Sequence, residues 1–281
     1  MNKTYKTLFT ILAGLCIILF IFMASNIRTN ARKNEIDTIT IEEVEITPEE
    51  VLGLSSEKES GIEQHNIYIY TPVEYSTKKE YPTLYLLEGL HSTDNEALDT
   101  EHKALLDKAI KNKEIQPLIV VIIPECTYRD NKLSDIIKTV NDNYNTKKKS
   151  SGRIIAGFSN GAYQIWWQVL TSPSERKLAD YYIPMSPIGS SEILSGEDAF
   201  KSCAKEVTRI KIYNTCGDEG CEENYRDKYS GVEQMDLILE TGSEYGFTEG
   251  KNIFKYQAAG GHDWNQAWNA LVHVLPAILK E

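Results

Sequence analysis

The chain has 281 residues, 41% hydrophobic and 25% charged, an ordinary globular balance that excludes collagen-like, mucin-like and wholly disordered classes. Lys and Arg total 30 against 41 Asp and Glu, a net charge of −11; the first 34 residues hold five basic side chains and no acidic one, so the remainder carries −16. A body that acidic has no surplus cations to displace counterions from a phosphate backbone, which excludes nucleic-acid binding and reads as a solvated coat.

The first element is apolar. Leu8 to Ala24 runs 17 residues without a charge, between Lys3 and Lys6 on one side and Arg28, Arg32 and Lys33 on the other. At about 1.5 Å per residue such a helix just spans a hydrocarbon core, and it lacks the polar face of a buried soluble helix. It is slightly long for a secretory h-region, and its exit, Phe22-Met23-Ala24-Ser25, lacks small residues where a signal peptidase needs them. Residues 1–33 are therefore expected to be an uncleaved transmembrane signal anchor, with secretion after cleavage as the alternative. The flanking charges do not settle orientation. An N-terminal anchor with so short a leader points to an extracytoplasmic body at the cell membrane.

Residues 34–61 are rich in glutamate, with Ile39, Ile41 and Ile46 in partial alternation, and are expected to form an acidic stalk holding one edge strand. From residue 62 to 281, short apolar runs recur about every 30 residues with helical stretches between them, the rhythm of βα units on a mostly parallel sheet. Strands are predicted at 67–70, 83–87, 118–123, 153–156, 182–185, 210–215 and 253–257, and helices at 97–111, 133–144, 162–170, 232–242 and 265–279. Leu118 to Ile123 shows no polar alternation, as expected of a strand buried on both faces. No linker divides this body, so one α/β domain is expected.

Five cysteines are present: Cys16 in the apolar segment, then Cys126, Cys203, Cys216 and Cys221. In an oxidising space the last four allow three pairings, among which sequence alone does not choose, with one disulfide expected somewhere in the 203 to 221 region. No pair has Cys-x-x-Cys spacing and no histidine lies near Cys216 or Cys221, so no metal site is expected.

Chemistry concentrates at Gly157-Phe158-Ser159-Asn160-Gly161, which fits Gly-x-Ser-x-Gly. The pattern alone is weak, and a glycine-rich turn with an incidental serine is the bland alternative. Its setting adds weight, because a buried strand precedes it and a helix follows, as in a nucleophile elbow. A serine hydroxyl needs a base. Of five histidines, His262 in Gly260-Gly261-His262-Asp263-Trp264 follows the last strand and precedes the last helix, where the order Ser, acid, His delivers an imidazole. The acid should follow the strand ending at Thr215, where Asp218 and Glu219 are nearest and Glu222 and Glu223 lie beyond. Two converging backbone N–H groups would complete an oxyanion hole, one from Asn160 and one from Leu90 in Leu87-Glu88-Gly89-Leu90-His91. Tyr163, Trp166, Trp167, Trp264 and Trp268 lie near this site; they could stack on sugars or aromatic acyl groups, although core packing is the commoner role.

Taken jointly, Ile67 to Pro72 with Tyr75, Tyr81 to Gly89, the Ser159 elbow, Ser186-Pro187 and Gly261 to Trp264 with Trp268 resemble the esterase family of α/β-hydrolases, over about Gln64 to Leu279. That family groups feruloyl and acetyl-xylan esterases, esterase D, enterochelin esterases and mycolyltransferases. The resemblance implies an α/β-hydrolase fold with helices on both sheet faces and a Ser, acid, His mechanism without metal or organic cofactor. It carries the nucleophile onto Ser159, the base onto His262 and the oxyanion donors onto Leu90 and Asn160, and favours Glu219 over Asp218. The chain departs from it at Glu88-Gly89, where many members have His-Gly; Glu88-Gly89-Leu90 is closer to the acidic-Gly-Leu of mycolyltransferases. The expected activity is serine carboxylic ester hydrolysis on a small-molecule or glycan-linked ester. Acyl transfer, or a non-catalytic binding role for the same fold, are the alternatives.

Overall fold

The computed structural model describes residues 50–58, 61–92, 97–187, 195–217 and 231–280. The expected anchor at 8–24, the alternating isoleucines at 39–46 and the carboxylates from Asp218 to Glu223 lie outside the described residues. Among the described residues no helix is long and apolar enough to cross a membrane.

Among the described residues eight strands form one sheet: β1 (Glu50–Lys58), β2 (Gly61–Tyr70), β3 (Thr83–Leu87), β4 (Ile119–Ile123), β5 (Arg153–Phe158), β6 (Tyr181–Met185), β7 (Lys211–Gly217) and β8 (Ile253–Ala258), in the order β1-β2-β4-β3-β5-β6-β7-β8. β1 and β2 form an antiparallel hairpin, β2 is antiparallel to β4, and β4 through β8 run parallel. The sheet thus takes in Glu50–Lys58, within the stretch read from sequence as a stalk. Its ladder partner is the strand predicted at 67–70, which begins six residues earlier, at Gly61.

The alternation of a pleated strand explains the packing. Ile119, Val121 and Ile123 of β4 join one buried cluster with Ile67, Tyr85, Leu87 and Ile155, whereas Val120 and Ile122 join another with Leu84, Leu86, Ile154 and Ala156. Each face carries helices: α1 (Thr100–Lys111), α2 (Glu125–Asp130), α3 (Leu133–Asn143), α4 (Asn160–Gln164), α5 (Glu197–Cys203), α6 (Gly231–Glu244) and α7 (Trp264–Leu279). α1 begins three residues later than its apolar pattern suggests, because the Asp99 carboxylate caps it by accepting the His102 amide at 2.9 Å. The short α2 and α5, six and seven residues, carry too few turns for a helical period to show in sequence.

Strand order fixes where a site can form. The chain leaves β3 for β4 on one side, hops back across β3 to β5, then proceeds outward through β8. That reversal leaves a crevice at the carboxyl ends of β3 and β5, the place where ligands bind in open parallel sheets.

Candidate active site

Ser159 follows β5 at φ 55° and ψ −115°, a left-handed conformation for a residue with a side chain. Such a backbone costs on the order of 1–3 kcal/mol and persists only where its surroundings enforce it. Here the Ser159 amide donates to the Met185 carbonyl of β6 at 3.0 Å, and its own carbonyl accepts the Tyr163 amide at 3.0 Å. The flanking glycines are steric requirements. A Cβ at Gly157 would stand 2.4 Å from the Gly161 carbonyl carbon, and one at Gly161 would stand 2.2 Å from the Leu87 carbonyl oxygen. Strand, turn and helix therefore pass at backbone contact, as the elbow pattern expects.

Ladder register brings the loop after β3 beside this turn, since Leu87 pairs with Gly157. Gly89 has its nearest non-neighbouring contact at the Ser159 Cβ, 3.7 Å from where its own Cβ would be. Leu90 is 60% exposed, a large apolar side chain on the rim. The Ser92 hydroxyl donates to the Gly89 carbonyl at 3.1 Å and accepts the Glu125 amide at 2.7 Å. In a trans peptide the N–H points opposite the C=O. Fixing the Gly89 carbonyl on Ser92 therefore aims the Leu90 N–H away from Ser92. The Asn160 N–H opens α4, where the helix itself offers no acceptor.

His262 must travel further. β8 lies three strands from β5, about 14 Å at sheet spacing. The loop from Ala259 to Asp263 makes that return, and the His262 ring packs 4.6 Å from the ring of Phe158, the residue before Ser159. Trp264 closes on the same Phe158 ring at 4.8 Å. On the way the loop crosses the end of β7, where a Cβ on Gly217 would stand 2.4 Å from the Gly260 carbonyl oxygen. Asp218 and Glu219, which follow Gly217 in the chain, lie outside the described residues. Asp263 has another task, capping α7 by accepting the Gln266 amide at 2.8 Å.

The other histidines go elsewhere. His102 is buried and stacked on Trp268 at 5.4 Å, and burial lowers its pKa, so it stays neutral near pH 7. His273 stacks on Tyr256 on the exposed side of α7, and His91 sits exposed at φ 65°. The His65 side chain lies outside the description. Among the aromatics, Trp166 and Trp268 are core residues, whereas Trp167 is 50% exposed and stacks on Tyr163. The helix read at 162–170 is divided: α4 passes into a π-helical turn at Ile165–Val169, closed by the Leu170 amide on the Ile165 carbonyl. Cys126 and Cys203 carry free thiols, so Cys203 takes part in no bridge, and burial pushes its thiol up to about 12.

Two contributors lie outside the proposed triad and oxyanion donors: Tyr128, which carries no sequence motif, and Ser186 of the Ser186-Pro187 landmark. Tyr128 of α2 donates its hydroxyl to the Glu88 carbonyl at 2.8 Å and accepts from the Asn160 carboxamide at 3.2 Å. Ser186, buried at φ 47° after β6, donates to the Gln266 side-chain oxygen at 2.9 Å and so ties that strand end to α7.

Comparison with known proteins supports the fold. Residues 62–135 match the family model described as "Putative esterase". Endo-1,4-beta-xylanase Y of Acetivibrio thermocellus is 23% identical over 244 residues, covering 77% of this chain and 22% of that protein. The chain thus spans about a fifth of the length of this curated relative. The feruloyl esterase module of Clostridium thermocellum complexed with sinapinate superposes with a TM-score of 0.62 at 18% identity, over 84% of this chain and 90% of that one. A ferulic acid esterase of the anaerobic fungus Anaeromyces mucronatus gives 0.64 at 18% identity, over 84% and 91%. FphF, a fluorophosphonate-binding serine hydrolase of Staphylococcus aureus, gives 0.58 at 15%, over 84% and 100%. At these identities the structural likeness establishes an α/β-hydrolase-like fold.

Proposed function

We propose that this chain, an ester hydrolase similar to the feruloyl esterases, is a serine carboxylesterase that works through an acyl-enzyme on Ser159. The observation that carries the reading is the enforced left-handed backbone of Ser159, with His262 returning across three strands to pack on Phe158, the residue before it. A binding module has no use for strain at that one residue.

In the proposed cycle Ser159 Oγ attacks the ester carbonyl while His262 takes its proton. The Leu90 and Asn160 N–H groups receive the developing oxyanion. Glu219 or Asp218 holds the imidazole in the tautomer that accepts from serine and stabilises its charged form. Collapse breaks the C–O bond, and the leaving alkoxide takes the proton back from His262. Water, deprotonated by His262, then attacks the acyl-enzyme and releases the acid, restoring Ser159.

For the acyl group we propose a hydroxycinnamate-like aromatic acid. Phe158 packs against both His262 and Trp264, Leu90 in the loop after β3 offers exposed apolar surface, and the solved neighbours include esterases crystallised with sinapinate and with ferulic acid. A panel of p-nitrophenyl acetate, p-nitrophenyl butyrate, methyl ferulate and methyl sinapinate tests it. The aromatic esters should show kcat/KM at least about tenfold higher relative to their uncatalysed hydrolysis, the scale of one good ring contact. Hydrolysis of the short esters alone would remove the aromatic assignment while keeping the esterase. Glu88-Gly89-Leu90 favours a second reading, acyl transfer to a sugar or glycerol hydroxyl; an esterified acceptor as the main product would establish it.

The extracytoplasmic, single-pass placement rests on the uncharged run at 8–24 and the acidic remainder. The full chain should partition with membranes, and a 35–281 fragment should stay in solution without detergent. A full chain recovered soluble and shortened at its amino terminus would establish cleavage and secretion instead.

A further inference from the structure

We propose that the Tyr128 hydroxyl is the positioning group that couples the two halves of the oxyanion hole; the inference rests on the serine esterase reading above. The two proposed donors come from different loops, Leu90 after β3 and Asn160 after β5. The contacts that hold each loop are mostly its own. Glu88 donates its amide to Ile123 at 3.1 Å and accepts the Ala97 amide on its buried carboxylate at 2.8 Å. Ser159 is held by Met185 and Tyr163. Tyr128 touches both loops, donating to the Glu88 carbonyl and accepting from the Asn160 side chain.

The chemistry makes this arrangement directional. A phenol has one proton, and a carbonyl can only accept, so the proton is committed to Glu88. The phenol oxygen is left as an acceptor, which fixes the Asn160 carboxamide with its NH₂ group toward Tyr128. Burial raises the Tyr128 pKa well above the ordinary phenol value, so the donor keeps its proton across the working pH range. The Glu88–Gly89 peptide pinned by Tyr128 immediately precedes the Gly89–Leu90 peptide pinned by Ser92, and Ser92 is itself held by Glu125 on the same short helix α2. One six-residue helix therefore orients two successive peptides of the loop that bears Leu90, and through Tyr128 it registers them against Asn160. Tyr128 acts through Glu88 and Asn160, so its effect belongs to the step in which the oxyanion forms.

The test is the inactivation of the full chain by a fluorophosphonate, whose phosphoryl oxygen occupies the oxyanion position as Ser159 attacks. Tyr128→Phe keeps the ring in the core and removes one oxygen. It should lower the first-order inactivation constant about tenfold, less than the loss of a whole donor, with the probe's KI within about twofold. Asn160→Ala cuts the same bond from the partly exposed side and keeps the backbone N–H, so it should show a similar loss even if Tyr128→Phe folds poorly. Because Asn160→Ala removes one of the two bonds that Tyr128→Phe removes, the double variant should be no slower than Tyr128→Phe alone. An unchanged inactivation constant in both single variants, or losses that multiply in the double variant, overturns the proposal. Failure of the parent reading looks different, since the wild-type chain would then not be labelled or would keep its label in Ser159→Ala.

Discussion

Replacing Ser159 with alanine should lower turnover of an activated ester by about 10⁴-fold or more while leaving the fold intact, because the covalent route is lost and only the oxyanion hole and binding remain. Alanine occupies the same left-handed backbone at a similar cost, and the hydrogen bonds that hold Ser159 use its backbone rather than its hydroxyl. The thermal midpoint should therefore move by only a few degrees. His262→Ala should cost about as much, and the double variant hardly more than either single one, since nucleophile and base act as a unit. If turnover survives in Ser159→Ala, another serine must serve. The two nearby candidates have occupied hydroxyls: Ser92 bridges Gly89 and Glu125, and Ser186 donates to Gln266.

The second large effect concerns the acid. Gly217, at the end of β7, lies against the Gly260 carbonyl of the histidine loop, and the two proposed acids follow it in the chain. A carboxylate bonded to the far nitrogen of His262 fixes the tautomer and stabilises the imidazolium; its neutral amide cost about 10⁴ in turnover in a serine protease of another fold. A solvated neighbour contributes only a screened field. Glu219→Gln should thus lower kcat by orders of magnitude, with Asp218→Asn staying within about tenfold of wild type, or the reverse if the strand register shifts by one. Steady-state kinetics on the two variants decides between them. Near-wild-type rates in both would move the role to Glu222 or Glu223.

What the sequence reveals about this site follows from how locally each part is encoded. The elbow is legible because its steric demand falls on residues two positions either side of Ser159, and only glycine at 157 and 161 clears the neighbouring backbone. His262 is legible because strand, loop and capped helix follow one another in the chain. The acid is obscure because four carboxylates share residues 218–223 and a one-residue change in register exchanges their roles. Tyr128 is invisible in sequence: its contacts with Glu88 and Asn160 exist because β4 pairs with β3 and β3 with β5, a tertiary fact that no local pattern carries. The hairpin of β1 with β2 escaped for a related reason, since a glutamate-rich edge strand has little apolar alternation and gains its order from the partner's ladder. The fold class, by contrast, was written in the apolar runs themselves, above all the unbroken one at 118–123, whose residues divide between the two buried faces.

The central claim is that one strained serine is the nucleophile, and peptide mapping of the fluorophosphonate adduct on the full-length protein tests it most directly. The account predicts a single covalent adduct per chain, carried by the peptide containing Gly157-Phe158-Ser159-Asn160-Gly161 and absent from Ser159→Ala. An adduct mapped to Ser92, to Ser186 or to several serines, or a folded protein that takes up no label, would contradict it.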